Sequence, residues 1–485
     1  MSPDATYPDA PPISTTAAAP GAPLLPDRPP SLGDPIGPPS PPPAPPTPPP
    51  TGGPGRGVLL GVAAIIAVGL IAAALLLRTG DAAVETADPS TSSTTVESST
   101  TSSVPEESTT TAPGQTTTTT LPSGDPITQA ELDAAMAELM AFVEDVRGLP
   151  FIQEPEVALL DPQAFNDALQ AQVSDEELRA QAEQLSQLGL LPPGVDPVAD
   201  MRAQLGARIA GWYDAKTKVL TIRNLELDED ARQILVHELT HALDDQHFDL
   251  DRPEYVERKD EIAFGFRALV EGSARRVERF YRDQFNPENE SPGNLNLPDL
   301  SEQDPSDYGA IAADMMEAPY VYGEYLIEET IRYYGGDGVI RSLFADPPDT
   351  SEKVLHPDKY LSFEDRIDVP PPPTDGAEVI DDGVLGELML RNMLEAKLGR
   401  EAAVEASSGW GGDWFVRYQN EAEGTSCLRV DFQMDSTGDM AELETAFEAW
   451  SDAGGMGEIT KPDDETLRFT NCTPPVGSGE GGSVL

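Results

Sequence analysis

The stretch His237-Glu238-Leu239-Thr240-His241 constrains this chain more than any other, because its residue types make joint sense on a helix. Residues i and i+4 share one helical face, so both imidazoles can reach one metal ion while Glu238 stands beside it. The chain holds four histidines in 485 residues, and two of them fall in this pattern. The flanks agree with a helix. Asp228, Glu229 and Asp230 offer an N-cap and an acidic first turn, and Ile234, Leu235, Leu239, Ala242 and Leu243 recur at helical spacing. The competing reading is an exposed helix with an incidental His-Glu-His.

A catalytic zinc takes three protein ligands and leaves the fourth position to water or substrate, so the pattern is one ligand short. Glu271 is the candidate for the third. It lies 30 residues after His241 on a helical stretch from about Glu261 to Gln284, among Phe264, Phe266, Ala268, Leu269 and Val270. Those neighbours turn its carboxylate inward, where an unpaired charge is costly and a metal removes the cost. The alternative is an ion pair with Arg267, Arg275 or Arg276. With Zn²⁺ on His237, His241 and Glu271, Glu238 is placed as the general base of a zinc hydrolase.

His237-Glu238-Leu239-Thr240-His241-Ala242-Leu243, followed by a glutamate on a later helix, resembles the gluzincins, the thermolysin-like zinc metallopeptidases. It resembles more closely a group of membrane-anchored bacterial metallopeptidases. Gly211-Trp212-Tyr213-Asp214, Leu355-His356-Pro357 and Gly409-Trp410-Gly411-Gly412-Asp413 also match that group, and the resemblance spans about Leu132 to Trp450. It implies an α+β, helix-dominated zincin-like domain that cleaves peptide or protein substrates. One position departs: the family carries an aspartate four residues after the ligand glutamate to orient a ligand histidine, and here that place holds Arg275. Asp244, Asp245 and Asp249 are the candidates for that orienting role.

Upstream, residues 209–224 read as a hairpin, with Trp212-Tyr213 and Val219-Leu220-Thr221-Ile222 as strands and Asp214-Ala215-Lys216-Thr217 as the turn. The resemblance implies that the second strand, through Val219 and Thr221, edges the cleft and pairs with an extended substrate backbone. An ordinary core hairpin is the alternative. Peptide hydrolysis also needs a donor for the oxyanion. His356 is the first candidate, being one of two histidines outside the motif, and Tyr320 and Tyr322 are the alternatives. His247, six residues past His241, reads as structural or supporting.

The rest of the chain is sharply partitioned. Residues 1–56 hold 21 of the 48 prolines and read as disordered or polyproline II. Gly57 to Leu77 is a run of 21 uncharged residues bracketed by Arg56 and Arg78, long enough for one membrane-spanning helix. A Thr/Ser-rich stalk follows over 78–125. The metallopeptidase domain is expected over 126–472 and a frayed Gly-rich tail over 473–485. The stalk and the flanking arginines suggest a single-pass cell-membrane protein with its N-terminus cytoplasmic and its catalytic domain extracytoplasmic.

Cys427 and Cys472 are the only cysteines and fit a disulfide on the outer side. The net charge of −54 makes nucleic acid and anionic lipid poor partners for the outer domain, so no nucleic acid is expected. Acid runs such as Asp244-Asp245 read as a solvated face rather than a calcium site. Two other functions fit the same residues. One is a catalytically silent zincin-scaffold binding protein of the cell envelope, against which the presence of Glu238 argues; the other is a zinc amide hydrolase acting on non-peptide bonds.

Overall fold

The computed structural model describes residues 127–172, 174–194, 196, 198, 211–223, 227–256, 261–287 and 308–476, with the backbone alone at 308–316. Helix α1 (Gln129–Arg147) starts in a capping box. The Thr128 hydroxyl accepts the Glu131 N–H and the Glu131 carboxylate accepts the Thr128 N–H. Strand β1 (Glu156–Leu160), α2 (Pro162–Gln170) and α3 (Asp175–Gln187) follow. The expected hairpin forms as β2 (Gly211–Asp214) and β3 (Val219–Arg223). Its turn is held by the Asp214 carboxylate, which accepts the N–H groups of Lys216 and Thr217.

The long helices come next: α4 (Glu229–Phe248), the short α5 (Pro253–Val256), α6 (Glu261–Phe285) and α7 (Tyr308–Tyr334). Leu132, Met136, Leu139 and Val143 line one side of α1. They meet Leu220 and Ile222 of β3, Leu235, Leu239 and Leu243 of α4, and Val277 of α6 in one buried cluster. The helix carrying the two histidines is thus clamped between a sheet and two other helices. Short helices α8 (Ile340–Ala345), α9 (Ser351–Leu355) and α10 (Pro357–Leu361) lead to the second sheet.

That part runs β4 (Val379–Gly383), α11 (Glu387–Leu398), α12 (Arg400–Ser407), β5 (Trp410–Asn420), β6 (Thr425–Met434), α13 (Thr437–Asp452), β7 (Glu458–Thr460) and β8 (Leu467–Thr473). Its sheet is antiparallel throughout, in the order β4-β5-β6-β8-β7. Trp410, Phe432 and Phe469 on the sheet pack with Leu390, Leu394, Phe447 and Trp450 from the helices. Helix α3 docks on it from far back in the chain: the Gln187 amide donates to Ser426 Oγ at 2.8 Å, and Asn471 Nδ2 donates to the Gln187 carbonyl at 2.8 Å.

Two expectations need correction. The first sheet has the order β1-β3-β2, with β3 parallel to β1 and antiparallel to β2. Val219 and Thr221 are therefore in the central strand, paired on both sides, and present no free edge to a substrate backbone. β1 was invisible as a partner because its pairing to β3 joins segments about sixty residues apart. The fold class is mixed helix and sheet, and among the described residues nothing supports the membrane-spanning helix expected in front of it. Among the described residues no helix is long and apolar enough to cross a membrane. The helices of sufficient length, α1, α4, α6 and α7, carry charged residues along their whole course. The Pro-rich segment 1–56, the apolar run 57–77, the stalk 78–125 and most of the tail lie outside the described residues.

Candidate metal centre

Helix α4 begins at Asp228, whose side chain accepts the Ala231 N–H at 2.9 Å, and Glu229 and Asp230 complement the positive end of its dipole. Three turns on, His237 and His241 project together, their rings edge to face with centroids 4.7 Å apart. Glu271 comes from α6, which crosses α4 in the buried cluster. The three candidate ligand atoms form a near-equilateral triangle: His237 Nε2 to His241 Nε2 is 3.1 Å, His237 Nε2 to Glu271 Oε2 is 3.2 Å, and His241 Nε2 to Glu271 Oε2 is 3.4 Å.

Those lengths test whether zinc fits. Ligands about 2.0–2.1 Å from a tetrahedral ion lie roughly 3.3 Å from one another, so one ion can touch all three atoms at normal bond lengths. Two nitrogens and a carboxylate oxygen are also the donor types zinc takes. The second grouping of acids, Glu352, Glu364 and Asp435, already holds a cation. Lys359 already occupies it, pairing with Glu352, with Glu364 at 3.1 Å and with Asp435 at 2.6 Å.

The imidazole tautomer is set from behind. His237 Nδ1 lies 2.9 Å from Glu278 Oε2, and the other Glu278 oxygen accepts the Gln233 amide at 2.7 Å. A carboxylate only accepts, so Nδ1 carries the proton and Nε2 presents its lone pair to the centre. Glu278 is two helical turns after Glu271, and Gln233 is one turn before His237, so α4 supplies two candidate ligands and one support, and α6 one of each. Among the described residues the His241 Nδ1 atom, also buried, has no partner. Burial disfavours charge on His237, yet its bonds to Glu271 and Glu278 hold its pKa well above the usual value. Glu271 is held well below the carboxylate range: burial opposes this, but the two imidazoles prevail. A positive charge is thus called for at this spot, whether a proton or a metal supplies it.

Glu238 stands within electrostatic reach of both imidazoles and Glu271 and is tied to the sheet. Its Oε2 accepts the Tyr213 N–H of β2 at 2.7 Å. Burial raises its pKa, and the two imidazoles temper the rise. Tyr320, on α7, stacks on the His237 ring with centroids 5.8 Å apart and planes 28° apart. Its hydroxyl is pushed far up by burial and by the carboxylates of Glu271 and Glu238, so it stays protonated. The approach of α7 depends on two glycines facing each other. A Cβ at Gly272 would fall inside the Gly323 backbone, and one at Gly323 inside the Ala268 backbone.

Other candidates are placed elsewhere. His356 sits between α9 and α10, and its Nε2 lies 2.9 Å from Glu387 of α11. Tyr322 accepts a bond from Arg391 at 2.9 Å. Asp244 pairs with Arg147 and accepts the Ser273 hydroxyl at 2.6 Å. Asp245 accepts the Tyr213 hydroxyl at 2.7 Å and Lys218 Nζ at 2.8 Å, and Asp249 ends α4 with a positive φ of 57°. None of these three aspartates orients an imidazole, and the first two are buried against cations rather than solvated. Arg275 pairs with Glu324 at 2.9 Å, and His247 with the Pro150 carbonyl at 2.7 Å. Cys427 and Cys472 are bonded across directly opposed positions of β6 and β8. Sequence reasoning missed Glu278 and the Tyr213 N–H. The available signal for Glu278 was a second acid on the same face of α6 as Glu271.

Comparison with known families gives one match: residues 377–473 fit a domain of unknown function, DUF8575. That stretch covers the antiparallel sheet and helices α11 to α13 and does not include the histidines. No curated protein and no solved structure matches the chain.

Proposed function

We propose that this protein is a zinc-dependent metallopeptidase whose metal is held by His237, His241 and Glu271. The observation that carries the reading is the triangle of two imidazole nitrogens and one carboxylate oxygen, 3.1 to 3.4 Å on a side, with a second buried carboxylate beside it. Purely structural zinc sites are closed by a fourth protein ligand; this set offers three. When bound, zinc supplies a Lewis acid that lowers the pKa of a water and polarises the scissile carbonyl.

The chain's own residues account for the rest. Glu238 is the general base. The Tyr213 N–H holds one of its oxygens, and the carboxylate takes a proton from the attacking water and delivers it to the leaving amine. Glu278 keeps the His237 proton on Nδ1 throughout. Tyr320, neutral and stacked against His237, is the donor to the carbonyl oxygen as charge develops there, in place of His356. The Cys427–Cys472 bridge supports a site of action outside the reducing cytoplasm. Incubating the zinc-loaded full chain with a peptide library, and reading new termini by mass spectrometry, tests the reaction class. Cleavage at peptide bonds that a chelator abolishes is the expected result; zinc-loaded protein that opens only non-peptide amides, or nothing, refutes it.

A further inference from the structure

Helix α6 brings one more charged side chain to the centre. Arg267 precedes Glu271 by four residues, which puts the two on one helical face with Cβ atoms about 5–6 Å apart. The guanidinium lies within electrostatic reach of the Glu271 carboxylate and the Tyr320 hydroxyl. Yet among the described residues it has no hydrogen-bond acceptor, and its Nε is sealed from solvent and unbonded. The other arginines along α6 are spent differently. Arg275 and Arg279 pair with Glu324 of α7, and Arg276 with Glu328 at 3.0 Å. Ion pairs were therefore within reach of this helix, and among the described residues Arg267 takes none.

A part-buried guanidinium whose Nε is sealed and unbonded among the described residues is held at a cost, which a ligand bringing acceptors to it would offset. The Glu271 carboxylate is not that partner, because its bonding oxygen faces the two imidazoles at 3.2 and 3.4 Å. The planar guanidinium fork matches a carboxylate, which it can hold through two parallel N–H···O bonds. We propose that Arg267 holds a carboxylate of the substrate beside the scissile bond, so that the site prefers peptides carrying a terminal carboxylate or an acidic side chain there. This rests on the peptidase reading above.

The test uses acetylated peptides in matched pairs that differ only in carboxylate against amide. One pair compares a free C-terminus with a carboxamide; the other compares Glu with Gln at each position around the cleaved bond. Binding is measured by calorimetry on zinc-loaded full-chain Glu238→Gln, and hydrolysis on the wild type. The carboxylate member is expected to bind at least tenfold more tightly in one arm, which identifies its source. Arg267→Gln should reduce that ratio to below about twofold with zinc content and Tm maintained, and Arg267→Lys should keep part of it. No preference in either arm overturns the proposal, as does a preference that survives Arg267→Gln. A fall in Tm with equal loss of both members assigns Arg267 to the fold instead and also overturns it. Should Arg267→Gln not fold, Arg267→Lys decides: an undiminished ratio counts against the fork. Carboxylate discrimination in binding without any hydrolysis by the wild type would sink the peptidase reading and leave the carboxylate site standing.

Discussion

Glu278 touches His237 and Gln233, so under the proposed function its removal should separate metal affinity from folding. Its carboxylate is 2.9 Å from His237 Nδ1 and is anchored by Gln233. Glu278→Ala is expected to weaken zinc binding roughly 10- to 100-fold, measured by competition with a chelator, while the far-ultraviolet spectrum is kept. Tyr320→Phe should lower kcat by about 10²- to 10³-fold with little change in KM or zinc content, the signature of a bond made only in the transition state. His356 carries the opposite expectation. Glu387 raises its pKa against the effect of burial, so its charged form is the stabilising one. That contribution is complete below the unfolded-state value and is lost as pH rises through the elevated folded-state value. His356→Gln should therefore lower Tm most at mildly acidic pH and least at alkaline pH, with kcat nearly intact; a large loss of kcat at unchanged Tm would return the donor role to His356. His237, Glu238, His241 and Glu271 could be read from the sequence because helical spacing and apolar context define their faces. His356 was singled out by its rarity, which says nothing of what its ring meets, here Glu387, and Glu278 carried no signal at the position where the resemblance implies an orienting aspartate, which holds Arg275.

At the scale of elements, the bounds of the strongly patterned helix around Glu271 were legible: the expected stretch from Glu261 to Gln284 is α6 at Glu261–Phe285. The pairing of strands was not. Val219-Leu220-Thr221-Ile222 declares a strand by composition, but nothing local says that β1 covers its far edge. The contact of α6 with α7 was equally silent, because it depends on glycines that contribute no periodicity. Gly323→Ala would drive a Cβ into the Ala268 carbonyl, and neither backbone can yield within a helix. Overpacking of this kind costs about 1–3 kcal/mol or more. The expected readout is a lower Tm together with weaker zinc binding, since Glu271 and Tyr320 are on the two helices forced apart. Unchanged Tm and zinc affinity would mean that the helices are not in this register.

Across the described residues, helices pack on two sheets of different character. The three-stranded sheet with α1, α4 and α6 frames the candidate metal centre, and the five-stranded sheet carries the DUF8575 match and the disulfide. The bridge closes a 45-residue separation between β6 and β8, for which loop-closure arguments give a stabilisation of about 2–4 kcal/mol. Cys427→Ser with Cys472→Ser should lower Tm and leave zinc stoichiometry at one. The measurement that tests the central claim most directly is zinc content and peptide turnover on three full-chain proteins side by side. The account predicts one zinc and turnover for the wild type, one zinc and nearly no turnover for Glu238→Gln, and neither for His237→Ala. Zinc retained by His237→Ala, or turnover retained by Glu238→Gln, would contradict it.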